Sequence, residues 1–187
     1  MRKFTSTTFA AVALSAAFGS VFAQTAQPGQ YKIDPDHTLA TFEVGHLGIS
    51  KMDGRFNKIA GSYQLDASGN GTVKVEIPTS SIDTNHAERD KHLRGPDFFN
   101  AAQFPVISFE GKKQNDQLTG KLTMRGVTKP VTFKVQPVGA GKDPWGGYRS
   151  GFQATTTVKR SDFGINYMPA GIPDEVSIKI NVEGIKQ

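Results

Sequence analysis

The sequence predicts an all-β fold, with its antiparallel strands arranged as a closed barrel or a two-sheet sandwich and interrupted by one short helical insert. Three observations predict it. Apolar and polar residues alternate with a period of two along most of the chain, glycine- and asparagine-rich turns separate the alternating segments, and only one capped segment departs from the pattern. Alternation of this kind gives each strand one apolar face, which must be buried against another layer.

Nine segments carry the strand pattern. A closed barrel of about eight such strands would leave no exposed edge and would have room for one ligand. The alternation by itself is compatible with either a barrel or a sandwich. In chain order the predicted strands are Gln30–Asp34, Leu39–Leu47, Arg55–Leu65, Val73–Ile77, Val106–Lys113, Leu118–Met124, Val131–Val135, Phe152–Lys159 and Val176–Glu183.

The segment after residue 84 carries helix signals instead. Asn85 is placed as the N-cap, and Glu88 three residues later completes a variant of the capping box. The helix should run to about Arg94, because Gly95 and the proline after it stop it. Asp90 has the spacing to pair with Arg94 on the helix surface.

A second short turn is predicted directly after this helix. Asp97 has the position of its cap, the turn holds Phe98 and Phe99, and Phe104 with the following proline closes it. An insert this rich in phenylalanine has two possible roles in a β protein. It covers one end or flank of the barrel, or it forms a plug that completes the core.

The first 23 residues have the features of a secretory signal peptide. Arg2 and Lys3 precede an apolar stretch over residues 9–22, and small residues allow cleavage between Ala23 and Gln24. The apolar stretch is short for a membrane-spanning helix, which is the alternative interpretation. We therefore expect an exported protein with a disordered segment over residues 24–29 and one domain over residues 30–187.

Composition excludes several functions. The formal net charge of +5 falls to +3 without Arg2 and Lys3, and the remaining lysines are scattered singly between apolar neighbours. That distribution is typical of solvated strand faces and argues against nucleic-acid binding, although transient contact with an anionic membrane surface is compatible with it. The chain has no cysteine, which excludes disulfides, cysteine nucleophiles and thiolate metal sites.

A series of short motifs resembles one known family. The motifs are Tyr31–Asp34, His37, Phe42–Gly48, Gly54–Phe56, Ser81–Arg94, Asp97–Phe99, Phe104–Pro105, Gly126–Val131, Asp143–Gly147 and Asp162–Gly164. Together they resemble the YceI family of periplasmic proteins over essentially the whole chain after residue 23. The resemblance implies an eight-stranded, lipocalin-like antiparallel barrel with a helix, a periplasmic location, and for some members a role in stress responses.

The resemblance also implies a central cavity that binds a polyisoprenoid, an isoprenoid quinone or another fatty-chain ligand. The 13 phenylalanines suit such a cavity, since many share strand faces with glycine or alanine and would leave a tunnel. An aromatic core with glycines at bends is the alternative. The residues we expect to line the tunnel are Phe42, Val44, Phe56, Phe98, Phe99, Phe109, Leu122, Met124, Phe133 and Phe152.

Six polar residues are candidates for the mouth of this tunnel. Arg89 or Arg160 could hold a phosphate or a quinone oxygen through its forked donors. The interpretation we favour is structural, with charged pairs Arg89–Asp90 and Arg160–Asp162 anchoring the helix and a loop to the barrel. The complete set is His46, Arg89, Asp90, His92, Arg160 and Asp162.

Two other functions compete with lipid binding. A metal-dependent enzyme would need convergent ligands, but His86 and His92 are six residues apart and lie on different faces of a helix. The chain also has no Gly-x-Ser-x-Gly motif and no phosphate-binding loop. The other competitor is an interaction module without ligand. We expect a binding protein with no catalytic residues, metal or cofactor, and a homodimer is compatible with the pattern.

Overall fold

A computed structural model describes residues 25–187, so the predicted signal peptide and its cleavage point at Ala23 and Gln24 lie outside the described residues. Eleven strands, one α-helix and two short 3-10 helices (Thr79–Ser81 and Arg160–Phe163) are described in this range. The strands and the α-helix are β1 (Gly29–Ile33), β2 (Leu39–His46), β3 (Ser50–Phe56), β4 (Ala60–Leu65), β5 (Gly71–Pro78), β6 (Ile82–Asp83), α1 (Ala87–Leu93), β7 (Val106–Gln114), β8 (Gln117–Met124), β9 (Val127–Lys142), β10 (Tyr148–Lys159) and β11 (Glu175–Lys186).

Eight of these strands form a closed antiparallel barrel. The ring runs β1, β4, β5, β7, β8, β9, β10, β11, and it closes because β11 pairs with β1, with Tyr31 opposite Lys186. The predicted all-β class and the eight-stranded barrel are confirmed. The sandwich alternative is wrong, since the closing pair joins the first strand to the last and leaves no separate second sheet.

The remaining strands extend the barrel at one end. β11 pairs with β1 near its C-terminus and with β2 near its N-terminus, so β1 and β2 follow one another along the same neighbour. On the other side, β4 pairs with β1 and β3 pairs with β2, so β3 and β4 also follow one another along the sheet. The single strand predicted over residues 55–65 is therefore broken at residues 57–59, where Ile59 turns into the core and the Asn57 amide donates to the Ser81 carbonyl.

One end of the barrel is closed by tyrosines. The rings of Tyr31 and Tyr63 stack with centroids 4.9 Å apart, and both side chains are fully buried. The Tyr63 hydroxyl donates to the Ser150 carbonyl at 2.9 Å and lies 2.7 Å from the Ser150 hydroxyl. Burial raises the pKa of Tyr63, so this phenol stays neutral. The buried tyrosines form the floor of the barrel interior.

The helix begins one residue later than predicted. His86 is the N-cap, and its Nδ1 accepts a hydrogen bond of 3.2 Å from the Arg89 amide. Asn85, the predicted cap, has a φ of 59° and donates its own amide to Asp83 Oδ1. Asparagine tolerates the left-handed region better than most residues, and here that property turns the chain into the helix.

Two further expectations for the insert are wrong. Asp90 does not pair with Arg94, because its carboxylate is buried and accepts the Thr84 amide at 2.8 Å. No second helical turn follows Asp97, which bonds the His92 ring instead of capping. Residues 95–104 form consecutive turns that place Phe98 in the core. The insert covers one end of the barrel, which is the first of the two roles predicted for it.

The N-terminal segment also differs from expectation. The Tyr31 hydroxyl donates to the Gln27 carbonyl at 2.7 Å, and the Lys186 ammonium donates to Oε1 of Gln27 at 2.8 Å. β1 already begins at Gly29. These contacts tie residues 27–29 to the barrel, within the segment for which disorder was predicted. Among residues 25–187, no helix combines the length and apolar character needed to cross a membrane.

Candidate functional site: an apolar cavity in the barrel

The barrel encloses a cavity of about 170 Å³. Only three of the side chains around it, those of Thr41, Ser108 and Arg160, carry polar atoms. All ten residues expected to line a tunnel lie on its wall: Phe42, Val44, Phe56, Phe98, Phe99, Phe109, Leu122, Met124, Phe133 and Phe152. The interior is therefore hollow, and the alternative of a filled aromatic core is not what the structure contains.

Aromatic side chains and glycines build this wall together. Phe42 lies across β3 over Gly54, where a Cβ atom would stand 2.1 Å from its ring. Phe56 contacts the Phe42 ring at a centroid distance of 5.9 Å and the Phe99 ring at 5.8 Å. Because Gly54 has no side chain, the ring can lie against the wall rather than project into the bore.

The floor and the mouth differ in construction. At the floor, Phe152 packs edge-on against Tyr63 with centroids 5.3 Å apart. At the mouth, Leu93 from α1, Phe99 and Ile172 line the cavity, so the mouth is made by the insert and by the loop of residues 164–173. The cavity therefore has one end closed by strand residues and another end, here called the mouth, lined by the insert and the loop.

Arg160 is the one predicted mouth residue on the cavity wall. Its guanidinium is buried and donates to the carbonyls of Pro173 at 3.0 Å, Ile165 at 2.9 Å and Ile172 at 2.7 Å. The predicted pairing with Asp162 is wrong, because Asp162 is exposed and no hydrogen bond or ion pair joins the two side chains. Three charge-assisted bonds to one loop give Arg160 a structural role at the mouth.

Arg89 and Asp90 also serve structure, and they converge on one threonine instead of pairing with each other. Nε of Arg89 donates to Thr84 Oγ1 at 2.7 Å, and Nη2 donates to the Thr84 carbonyl at 2.7 Å. Asp90 accepts the Thr84 amide. These contacts hold α1 to the chain that leaves β6, as the structural interpretation expected, although with a different partner. Neither side chain lines the cavity.

The two predicted mouth histidines lie outside the cavity wall. His46 ends β2 and is exposed. His92 is 2.9 Å from Asp97 through Nε2, and its ring packs edge-on against Phe98 and Tyr167, with both centroid distances 5.0 Å. His92 therefore contacts the back of a wall residue, and its prediction as a ligand contact stays a prediction.

Comparison with known proteins identifies the family of this chain. A YceI-like domain matches residues 31–184. The chain belongs to the YceI family. A UPF0312 protein of Pseudomonas aeruginosa is 46% identical over 189 residues, covering 96% of this chain and 98% of its own. The Azotobacter vinelandii UPF0312 protein is 43% identical over 190 residues, covering 96% and 98%.

Solved structures agree on the fold. The YceI protein of Campylobacter jejuni superposes with a TM-score of 0.67 at 25% identity, covering 96% of this chain and 99% of that one. A domain of Saccharophagus degradans, described as polyisoprenoid binding and implicated in plant cell wall breakdown, superposes with a TM-score of 0.64 at 15% identity, covering 84% and 98%. The second likeness is one of fold alone.

The closed end of this YceI barrel carries an ion-pair network that sequence analysis missed. Nη1 of Arg149 contacts Asp34 Oδ2 at 2.5 Å and Glu183 Oε1 at 2.7 Å, while its Nε contacts Asp143 Oδ2 at 2.9 Å. His37 Nδ1 lies 2.9 Å from Asp34. The motifs Tyr31–Asp34, His37 and Asp143–Gly147 contain most of these residues, but their convergence depends on tertiary contacts.

This network contains the one group within residues 25–187 whose atoms are close enough to bind a metal. Ligand atoms of Asp34, His37 and Glu183 lie within 4.8 Å of one another. The Arg149 guanidinium already lies between two of them, and a cation would have to compete with its charge. The arrangement is that of an ion-pair clasp, in which three carboxylates surround Arg149, and it joins β10, β11, the β1–β2 loop and the β9–β10 turn.

The clasp makes stability depend on pH. Burial raises the pKa of Asp34, but hydrogen bonds from His37 and Arg149 outweigh it and lower the pKa to about 2. A lowered pKa stabilises the folded state above the unfolded value, near 4, and the stabilisation disappears as pH falls toward 2. Hydrogen bonding to Asp34 raises the pKa of His37, whose contribution is instead lost as pH rises above about 6.5.

We expect Asp34→Asn to lower the free energy of unfolding by about 1.5–3 kcal/mol near pH 5, because charge-assisted bonds to Arg149 and His37 are lost. Urea unfolding of both proteins from about pH 2 to pH 8 measures the difference, which should shrink at the acid end. Asp36→Asn, in the same loop, is the control and should change little. A difference between Asp34→Asn and the parent that does not vary with pH would contradict the titration.

Proposed function

We propose that this protein holds the hydrocarbon chain of a long isoprenoid or acyl lipid inside the barrel and carries it through the periplasm. The observation that carries the proposal is the cavity, whose wall is apolar apart from Thr41, Ser108 and Arg160. The donors of Arg160 are directed to backbone carbonyls. A ligand in the cavity would therefore contact almost no polar group, and a hydrocarbon chain needs none.

The energy of such binding comes from burial. Each methylene removed from water contributes about 0.8 kcal/mol, and about ten methylenes would contribute roughly 8 kcal/mol before the cost of ordering the chain. Affinity therefore grows with the length of chain that fits between the mouth and the Tyr63 floor. The head group would remain near the mouth, where His46 and His92 are the exposed candidates to contact it.

The family relationship supports a binding protein. Among structures of the same fold, the Saccharophagus degradans domain is described as polyisoprenoid binding, which fits an apolar bore of this kind. For a metal-dependent enzyme, the two histidines of the helical insert have other contacts: His86 caps α1, and His92 bonds Asp97. Export to the periplasm, cleavage after Ala23, a stress-response role and a homodimer all stay predictions.

The test is to purify the exported protein from its native compartment under conditions that preserve bound lipid. We expect organic extraction and mass spectrometry to recover one long apolar chain per protein molecule, and metal analysis of the same sample to find no stoichiometric zinc. Protein unfolded and washed before extraction is the control for lipid carried over on the surface. A lipid-free extract together with one zinc per chain would overturn the proposal in favour of the enzyme. Extracts without either would favour the interaction module.

A further inference from the structure

Four large apolar side chains are exposed beside the mouth of the cavity. Leu47 (48% exposed) and Ile49 (83%) lie on the turn between β2 and β3. Tyr167 (41%) and Met168 (46%) lie on the loop of residues 164–173. We call these four residues the lip. These four residues are more than half of the large hydrophobic residues exposed within residues 25–187. A concentration of exposed apolar side chains marks an interaction surface.

The lip is one surface and is continuous with the cavity wall. The Leu47 amide donates to the Gly171 carbonyl at 2.7 Å, which joins the turn to the loop. A Cβ atom on Gly171 would stand 2.5 Å from Met168 Cε and 2.9 Å from Leu47 Cδ2, so both side chains crowd the same point. The Tyr167 ring packs against Phe98, a wall residue, with centroids 5.2 Å apart.

Two of the four lip residues have an unusual backbone conformation. Leu47 has a φ of 54° and Met168 a φ of 49°, both in the left-handed region. Glycine and asparagine adopt this region with less strain than leucine or methionine, and neither would expose an apolar side chain there. An exposed leucine at such a position is unfavourable both for the local backbone conformation and for solubility. Departures of this kind concentrate at functional sites.

Charge on these segments fits a lipid surface better than a cationic partner. Neither residues 46–52 nor residues 164–173 contain an aspartate or a glutamate. Residues 46–52 contain His46 and Lys51, although Lys51 also contacts Glu43 at 2.6 Å. Anionic head groups would meet no carboxylate on either segment. Tyr167 combines an apolar ring with a polar hydroxyl, the combination favoured at membrane–water interfaces.

We propose that the lip inserts into the head-group and acyl boundary of a lipid bilayer and sets the cavity mouth against the membrane. A hydrocarbon chain then passes between bilayer and barrel without crossing water, which removes the main kinetic obstacle to loading an insoluble ligand. This inference rests on the proposed function for its purpose. Four side chains bury little area, so the contact is weak and reversible, as repeated loading and release require.

The experiment is flotation of the purified mature protein with vesicles of phosphatidylethanolamine and phosphatidylglycerol in equal parts. We expect the parent protein to float with the vesicles and Ile49→Ser combined with Met168→Ser to lose about tenfold or more in partitioning, because two inserted side chains are gone. The matched control is Val138→Ser combined with Trp145→Ser. It removes two apolar residues, 68% and 77% exposed, from the β9–β10 hairpin at the opposite end and should float like the parent.

Extraction of native lipid from the same three proteins separates this inference from the proposed function. A parent protein that contains lipid but does not float would overturn the lip as a membrane contact and leave the lipid-binding proposal standing. Equal flotation of the lip variant and the parent, or equal loss in the control variant, would also overturn it. So would light scattering that finds the parent dimeric and the lip variant monomeric without any vesicle binding, since the lip would then contact a second copy.

Discussion

Ala154→Phe is expected to empty the barrel of lipid while the fold is retained. Ala154 lies in the middle of β10, faces the cavity, and pairs with Val135 and Ile180 on the two neighbouring strands. A phenyl ring at this position would project across the bore. The added ring occupies existing space, so the cost in stability should stay near the low end of the roughly 1–3 kcal/mol typical of overpacking.

Lipid per protein, measured by mass spectrometry of organic extracts, should fall by about tenfold or more in this variant, because a blocked bore buries less of the chain. Thr157→Phe is the matched control. Thr157 lies on the same strand, is exposed on the outer face, and pairs with Ser177. It should retain lipid like the parent. A folded Ala154→Phe protein with a full complement of lipid would show that the ligand binds elsewhere.

Arg160→Met is expected to produce the largest loss of stability among these variants. The buried guanidinium donates to three carbonyls of one loop, those of Ile165, Ile172 and Pro173. Methionine fills similar space but leaves these acceptors without their charged donor. We expect the free energy of unfolding to fall by about 3–5 kcal/mol, as measured by urea unfolding.

The control for this variant is Arg125→Met. Arg125 also donates to two carbonyls, those of Pro96 and Gly164, but it is more exposed to water than Arg160 and should cost only about 1 kcal/mol or less. Lipid content gives a second readout. If Arg160 positions the loop, the folded variant still contains lipid. A variant as stable as the parent but free of lipid would instead show that Arg160 contacts the head group.

The cavity wall could be read from the sequence because its signal is local. Side chains two residues apart on a strand share a face, so Phe152, Ala154 and Val158 had to point the same way once the strand was recognised. The same reasoning places Phe133 and Val135 together on β9. Their common direction is inward, since the apolar face of a strand must be buried.

The mouth residues could not be read in this way. Arg160 and Asp162 are neighbours in sequence, yet the carbonyls that Arg160 binds lie 5 to 13 residues away, across a loop whose path no periodicity describes. Asn85 satisfied the pattern of a helix cap, but a left-handed backbone at that residue moved the cap to His86. Hydrogen bonds made outside regular elements leave no repeating trace in the sequence.

The sequence by itself determined the β class, the inward faces of the strands and the apolar character of whatever they enclose, because period and residue type act over a few neighbouring positions. Only the tertiary structure decided that the sheet closes through β1 and β11, that Arg149 draws three carboxylates together, and that the enclosed space remains open. These features depend on segments more than a hundred residues apart meeting in one register, and on the size of the ring that this register allows.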